Sequence, residues 1–282
     1  MQDNKAELKD LIEKAILGDK KSLEVLLAEV QDTVFNLSLR MLGTVTDAED
    51  ATQDILIRIM TNLSSFHMES SFSTWVYRLA INFLINYKKS MFSHYPLDFE
   101  FYGNDIRYAQ ADNAEELIDE LSREQFATEL KMSCTNVMLQ CLDTDSRCIF
   151  ILGTMFKVDS RIASGILNIS PENYRQKLSR IRKKVAGFLS YHCGLTETGF
   201  CCCSKRVDYA ISQKRIDPKK LEYLQLETLD QQTLNTYTEE MEKLEALSDT
   251  FEQLPEYKSP IKAYSVIQTL LQSTPFNMIQ SF

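Results

Sequence analysis

Two stretches decide the fold: DAEDATQDILIRIMTNLSSF (Asp47–Phe66) and, five residues later, FSTWVYRLAINFLINYKK (Phe72–Lys89). Each repeats its apolar residues at helical spacing. In the first, Ala48, Ala51, Ile55, Ile59 and Leu63 make the apolar face, and Asp47 is expected to cap the start. In the second, Phe72, Val76, Leu79, Phe83 and Tyr87 form one stripe. Trp75, Arg78, Asn82, Asn86 and Lys89 form another. An aromatic ring, amides and cations in one row suit stacking on bases and holding phosphates. A plainer reading is an ordinary surface helix with Trp75 at its edge. The polar loop between the two helices, around Phe66, holds His67, Glu69 and several serines.

A second signal lies further along, at DSRIASGILNISPENYRQKLSRIRKKV (Asp159–Val185). A short helix ends in a tight turn at Asn168–Ile169–Ser170. A new helix starts with Ser170 as N-cap and Pro171 in first position. Tyr174, Leu178, Ile181 and Val185 are its apolar stripe. Glu172, Gln176, Ser179 and Lys183 lie opposite, flanked by Arg175, Arg180 and Arg182. From Lys157 to Lys184 there are eight Lys or Arg against Asp159 and Glu172. This is a helix-turn-helix with a basic second helix, the arrangement that enters a major groove.

The two segments, in this order, resemble regions 2 and 4 of a sigma-70-type RNA polymerase sigma factor. The absence of the regions between them resembles the extracytoplasmic-function group. The resemblance covers roughly residues 8 to 190. It implies that Asp47, Asp50, Gln53 and Asp54 dock on the clamp of core RNA polymerase. It implies that Trp75 and Asn82 capture and open the minus-ten element while Arg78, Lys88 and Lys89 hold the backbone. Arg175, Gln176, Ser179, Arg180 and Lys183 would read minus-thirty-five duplex DNA. The implied partners are core polymerase (clamp and flap), promoter DNA and an anti-sigma protein. The chain departs from the family at Asn86 and Lys88, where members often carry Asp and Arg. It departs again at Tyr174–Lys177, where they usually carry Val-Lys-Ser-Arg. Those positions bear on promoter choice and not on fold. The acids near Asp47 also have a local reading, as complements to the helix dipole.

Only 8 Gly and 6 Pro among 282 residues, with almost no β-branched alternation, predict an all-α chain. The expected division is residues 1–92 as region 2, 93–114 as an acidic linker, 115–190 as region 4, and 191–282 as an acidic, mostly helical extension. Net charge is −9, which argues against nucleic acid until its distribution is read. Asp98–Glu129 holds ten acids against Arg107 and Arg123, and Leu221–Phe282 holds ten against Lys243, Lys258 and Lys262. The acid is thus segregated from the basic helix. An acidic appendage of this kind is expected to fold back over that helix and regulate in cis; a stabilising tail is the alternative. Leu221, Leu224, Leu226 and Leu229, then Leu234 to Phe251, suggest helices, with a last one over Ile261–Leu271.

No apolar run reaches the ~18 residues of a membrane span, and the first 22 residues carry no signal-peptide core. The expectation is a cytoplasmic protein, not inserted in a membrane, with its seven cysteines reduced. Cys134, Cys141 and Cys148 repeat every seven residues and read as buried small hydrophobes. His192, Cys193, Cys201 and Cys203 make a possible zinc set, although no cofactor is required for the implied function. A thiol redox switch and a plain loop are the other readings. A stand-alone helix-turn-helix regulator is the rival function. The chain has no Gly-rich phosphate loop, no nucleophile elbow and no helical pair of metal histidines, so it does not read as an enzyme.

Overall fold

The computed structural model of the protein describes residues 2–87, 91–108, 120–194, 199–228 and 255–271. Among these the regular elements are helices, with only isolated bridges, Asp217 to Lys220 and Thr228 to Tyr257, of extended pairing. None of the described helices is long and apolar enough to cross a membrane.

The first bundle is α1 (Gln2–Ile16), α2 (Lys20–Leu42), α3 (Val45–Asn62) and α4 (Phe72–Ile85). Gly43 ends α2 with a left-handed φ of 86°, and its N–H closes on the Leu39 carbonyl at 2.8 Å. Only glycine fits there on a second count, since a Cβ would lie 2.9 Å from the Phe92 ring and 3.0 Å from Gln140. Thr44, not Asp47, is the N-cap of α3: its hydroxyl accepts from Asp47 N at 3.1 Å. The helix therefore begins earlier than its acids suggest. Ser71 caps α4 by accepting from Thr74 N at 3.1 Å. The buried stripe of α4 is Phe72, Val76, Ala80, Ile81 and Leu84, with Tyr87 just past its end. Leu79 and Phe83 are only half-buried.

The second unit is α7 (Glu120–Leu139), α8 (Thr144–Phe150, running on into a π turn over Ile151–Met155), α9 (Ser160–Ile166) and α10 (Pro171–His192). Asn168, with φ 56°, makes the turn between α9 and α10, and Ser170 caps α10 by accepting from Asn173 N at 3.2 Å. Tyr174 is buried and donates its hydroxyl to the Ile149 carbonyl at 3.1 Å, which locks α10 onto α8. Ser170→Ala should destabilise the protein by about 1 kcal/mol, the usual worth of an N-cap, read as a lower urea midpoint at unchanged slope.

The chain between the two units differs from a plain tether. It forms α5 (Met91–His94) and α6 (Phe99–Tyr108), and Tyr102, Gly103 and Ile106 of α6 are buried. The cause is an i, i+3, i+7 apolar row, Phe99, Tyr102 and Ile106, which meets α10 through Phe188.

One apolar core joins both units. Arg147 of α8 donates to the carbonyls of Met41 (2.6 Å), Leu139 (3.0 Å) and Leu142 (2.9 Å), and burial lowers its guanidinium to about 10. Tyr77 of α4 meets Phe156 edge-on at 5.9 Å.

The described parts of the extension do not cover the basic helix. α11 (Cys203–Ser212) packs its Val207 and Ala210 on Phe126, Ala127 and Leu130 of α7. Residues 221–228 form turns, not the predicted helix, because the carboxylate of buried Glu129 accepts from the backbone N–H groups of Glu222, Tyr223 and Leu224 at 2.7–3.2 Å. Residues 255–271, ending in α12 (Ala263–Leu271), wrap α2. Asn36 exchanges two hydrogen bonds with the Tyr257 backbone (2.7 and 2.8 Å). Arg40, 2% exposed, donates to Asn136 at 2.8 Å and to the Pro255 carbonyl at 2.6 Å. These bonds let Asn36 and Arg40 lie within Val34–Leu42, a stretch buried on every side. The predicted helical stretch from Leu234 to Phe251 lies outside the described residues.

Asp105 ties α6 to α11. It accepts from Arg206 (2.9 Å), Tyr209 (2.8 Å) and both terminal nitrogens of Arg215 (2.5 and 2.8 Å).

Candidate nucleic-acid interface

Between α3 and α4 runs a groove of about 750 Å³. Its α4 wall is Trp75, Arg78, Leu79, Asn82, Phe83 and Asn86, closed by Tyr87, and its α3 wall is Asp54, Arg58 and Asn62. Helical spacing of four on both helices lines up these rows. Arg78, Asn82 and Asn86 are exposed and Trp75 is half-buried. The indole is held by two rings beneath it, stacked on Phe72 at 5.8 Å and tilted against Phe66 at 5.6 Å. A side chain so supported presents a ring face that has already lost most of its rotamer freedom. Lys88 and Lys89 lie outside the described residues.

Arg58 is the contributor that sequence reasoning missed. It lies over the Phe83 ring at 4.8 Å and is exposed, so the groove holds two guanidinium groups, its own and that of Arg78. Its sequence signal was the Asp54, Arg58, Asn62 row at i, i+4, i+8.

Of the predicted docking residues, Asp54 belongs to this groove, and Asp47 and Asp50 lie near the Tyr87 that closes it. Asp54 lines it, Asp50 is exposed, and Asp47, Gln53 and Asp54 are half-buried. Burial pushes the Tyr87 phenol up to about 12, and the carboxylates of Asp50, Asp47 and Asp54 add to it. The end of the groove at Tyr87 is therefore negative.

On α10, Glu172, Arg175, Gln176, Ser179, Arg180 and Lys183 are all exposed. Gln176 donates to Glu172 at 3.3 Å, and Arg175 reaches Ser160 of α9 at 3.4 Å. Arg182 does not belong to this face: it turns inward to Thr154 Oγ1 and the Gly153 carbonyl, both at 3.0 Å.

The expected zinc set does not assemble. His192 is packed among Phe188 (4.5 Å), Tyr191 (4.8 Å) and Phe200 (5.7 Å), and Gly103 lies so close that a Cβ there would stand 2.6 Å from the imidazole. Burial, then Arg107, lowers its pKa. The free thiols of Cys201 and Cys203 share a hydrogen bond, with Cys193 on the neighbouring stretch of chain. Among the described residues, no three His, Cys, Asp or Glu side chains are grouped to hold a metal ion. Cys141 and Cys148 are buried, as their spacing suggested, but α7 ends at Leu139, so the three cysteines do not share one helix.

A helix-turn-helix with an outward basic face thus stands beside a bundle whose groove offers a braced indole, amides and guanidinium groups, side chains suited to nucleic acid. Residues 26–90 match the family Sigma-70 region 2. The chain is 35% identical over 98 residues to the ECF RNA polymerase sigma factor SigW of Bacillus subtilis, covering 35% of this chain and 52% of that protein. It is 23% identical over 175 residues to the RNA polymerase sigma-H factor of Pseudomonas aeruginosa, covering 62% and 90%. Against the ECF sigma-E factor of Haemophilus influenzae it is 36% identical over 77 residues, 27% of this chain and 40% of that protein. The solved structure of CnrH in complex with the cytosolic domain of CnrY gives a TM-score of 0.45 at 19% identity, over 64% of this chain and 94% of that one. Residues 26–90 thus match a sigma-70 region 2, and the relatives similar to this part of the chain include sigma factors of the extracytoplasmic-function type. The match to the Bacillus relative spans about half of that protein's length.

Proposed function

We propose that the protein is a sigma factor: it binds core RNA polymerase, directs it to particular promoters and opens them. The observation that carries this reading is the α3–α4 groove, with Trp75, Arg78, Asn82 and Arg58 facing one space. Unstacked bases need a ring to stack on, amides to meet their edges and cations for their phosphates, and the groove supplies all three. The exposed face of α10 supplies the second contact. Arg175 and Gln176 would reach base edges in intact duplex, while Arg180 and Lys183 would meet phosphates. Asp47, Asp50, Gln53 and Asp54 would meet a basic surface of the polymerase clamp.

Run-off transcription with purified core polymerase on a library of promoter fragments tests the whole reading. Promoter-dependent transcripts are expected only with both components present. Tight binding of the free protein to duplex DNA, with no effect of polymerase, would instead favour a stand-alone regulator. Two side chains separate base from backbone contact. Arg175→Ala should cost about 1–3 kcal/mol on the cognate upstream element and relax selection there. Lys183→Ala should weaken every promoter alike and reduce the slope of log affinity against log salt by about 1.

A further inference from the structure

The groove and the α10 face use none of the cysteines, yet four of them converge at one place. Gly194 and Gly199 let the chain cross itself so closely that a Cβ on Gly199 would meet the Cys193 carbonyl oxygen at 1.8 Å. Across this crossing Cys201 N donates to the His192 carbonyl at 3.2 Å, which sets Cys201 beside Cys193. Cys202 is extended (φ −116°, ψ 112°), so side chains two apart point the same way, and the thiols of Cys201 and Cys203 hydrogen-bond to each other. Cys134 of α7 faces the pair, with its sulfur occupied by the Tyr102 hydroxyl at 2.9 Å. Arg206, one turn along α11 from Cys203, adds a guanidinium.

The geometry points to a redox site: Cys201 and Cys203 form an oxidisable dithiol that a hydroperoxide converts into an intrachain disulfide. Cys201 is the attacking sulfur. The hydrogen bond from Cys203 holds its thiol down to about 7 against burial, and Arg206 adds to this. The same bond and burial hold Cys203 high, as expected of the donor and resolving thiol. The remaining core thiols are poor competitors, since burial pushes Cys141 and Cys148 up to about 12. The Cys201 thiolate attacks one peroxide oxygen; the O–O bond breaks, and the other oxygen leaves as water or alcohol after taking a proton. The product is a sulfenic acid. The Cys203 sulfur then attacks the oxidised sulfur, the S–S bond forms, the S–O bond breaks, and water leaves with the Cys203 proton. Two thiols and one hydroperoxide thus give one disulfide, one water and one further water or alcohol. Both thiols are half-buried, within reach of a small oxidant. Cys201 packs on the main core and Cys203 on the smaller α7–α11 core, so the bond would join the two.

The test uses the full reduced chain and does not depend on polymerase. At neutral pH iodoacetamide should label Cys201 about tenfold or more faster than Cys134, Cys141 or Cys148, mapped by peptide mass. Equimolar hydrogen peroxide should remove two hydrogens from the peptide holding residues 201–203. Cys202→Ser and Cys193→Ser should leave that product unchanged. Cys203→Ser should instead accumulate a sulfenic acid at position 201 that dimedone traps, with the thermal midpoint of the reduced protein unchanged. The proposal is overturned if Cys203→Ser still yields the disulfide, if the bond forms to Cys193 or Cys134, or if reduced protein carries one equivalent of zinc that protects these thiols from alkylation.

Discussion

Replacing Trp75 and Asn82 together by alanine should lower promoter opening by the polymerase-bound protein roughly a hundredfold. Stacking of one base on an aromatic ring is worth about 1–3 kcal/mol. A good polar contact to a base edge adds about 1–3 kcal/mol. A combined loss near 3 kcal/mol is on the order of a hundredfold in the open fraction. Permanganate reactivity of thymines across the minus-ten element measures that fraction directly. Trp75→Phe should recover much of it, since the ring on Phe72 and Phe66 is kept. Association with core polymerase should be unchanged, because neither side chain belongs to the acidic end of the groove. Loss of polymerase binding in the double variant would assign these residues to the wrong step.

Asp105→Asn should cost about 3–5 kcal/mol of stability, the penalty of leaving a buried charge without its partner. The amide keeps the shape and removes the charge. Arg206, whose side chain is 4% exposed, then has no carboxylate within reach, while Arg215 at 38% can turn to water. The thermal midpoint should fall by about 10 °C. Adding Arg206→Met should return a good part of the loss, since an apolar pair of like volume often equals a buried ion pair. If the double variant is no more stable than the single one, the charge argument fails. The same site gives a pH signature. Burial works against the charge on Asp105, but the bonds from Arg215 and Tyr209 and the charges of Arg215 and Arg206 outweigh it, so its carboxyl sits below the usual carboxylate range. A carboxyl depressed in the folded state contributes stability above its unfolded pKa, about 3.9. That contribution drains away as the pH falls from there through the folded value. Wild type should lose stability in that window more steeply than Asp105→Asn.

Local chemistry made parts of this molecule legible in advance. Ser170 and Pro171 announce α10 by themselves, because a cap and a fixed φ act within four residues. The row Trp75, Arg78, Asn82 and Asn86 was legible because helical spacing places it without any partner. Arg58 was not, since the groove it completes needs α3 laid against α4. The turns at 221–228 were not either: the leucines there repeat plausibly, but Glu129, more than ninety residues upstream, takes the backbone N–H groups that a helix would use. The aromatic stretch before Tyr108 looked like a tether for the same reason, its partner Phe188 being far along the chain. His192 read as one of a zinc set, and among the described residues its ring is packed on Phe188, Tyr191 and Phe200. In the groove, at 221–228 and before Tyr108, a contact distant in sequence overrides the local pattern.

The bonds from Asn36, Asp32 and Gln31 to Tyr257, Ser259 and Ala263 bridge 221 to 232 positions. During translation, α2 must therefore leave the ribosome with water in place of these partners at Gln31, Asp32 and Asn36, and wait for residues made long afterwards. The N-terminal bundle cannot reach its final form on the nascent chain before that stretch has cleared the exit tunnel, so synthesis delivers the protein to the cell as a late-maturing one.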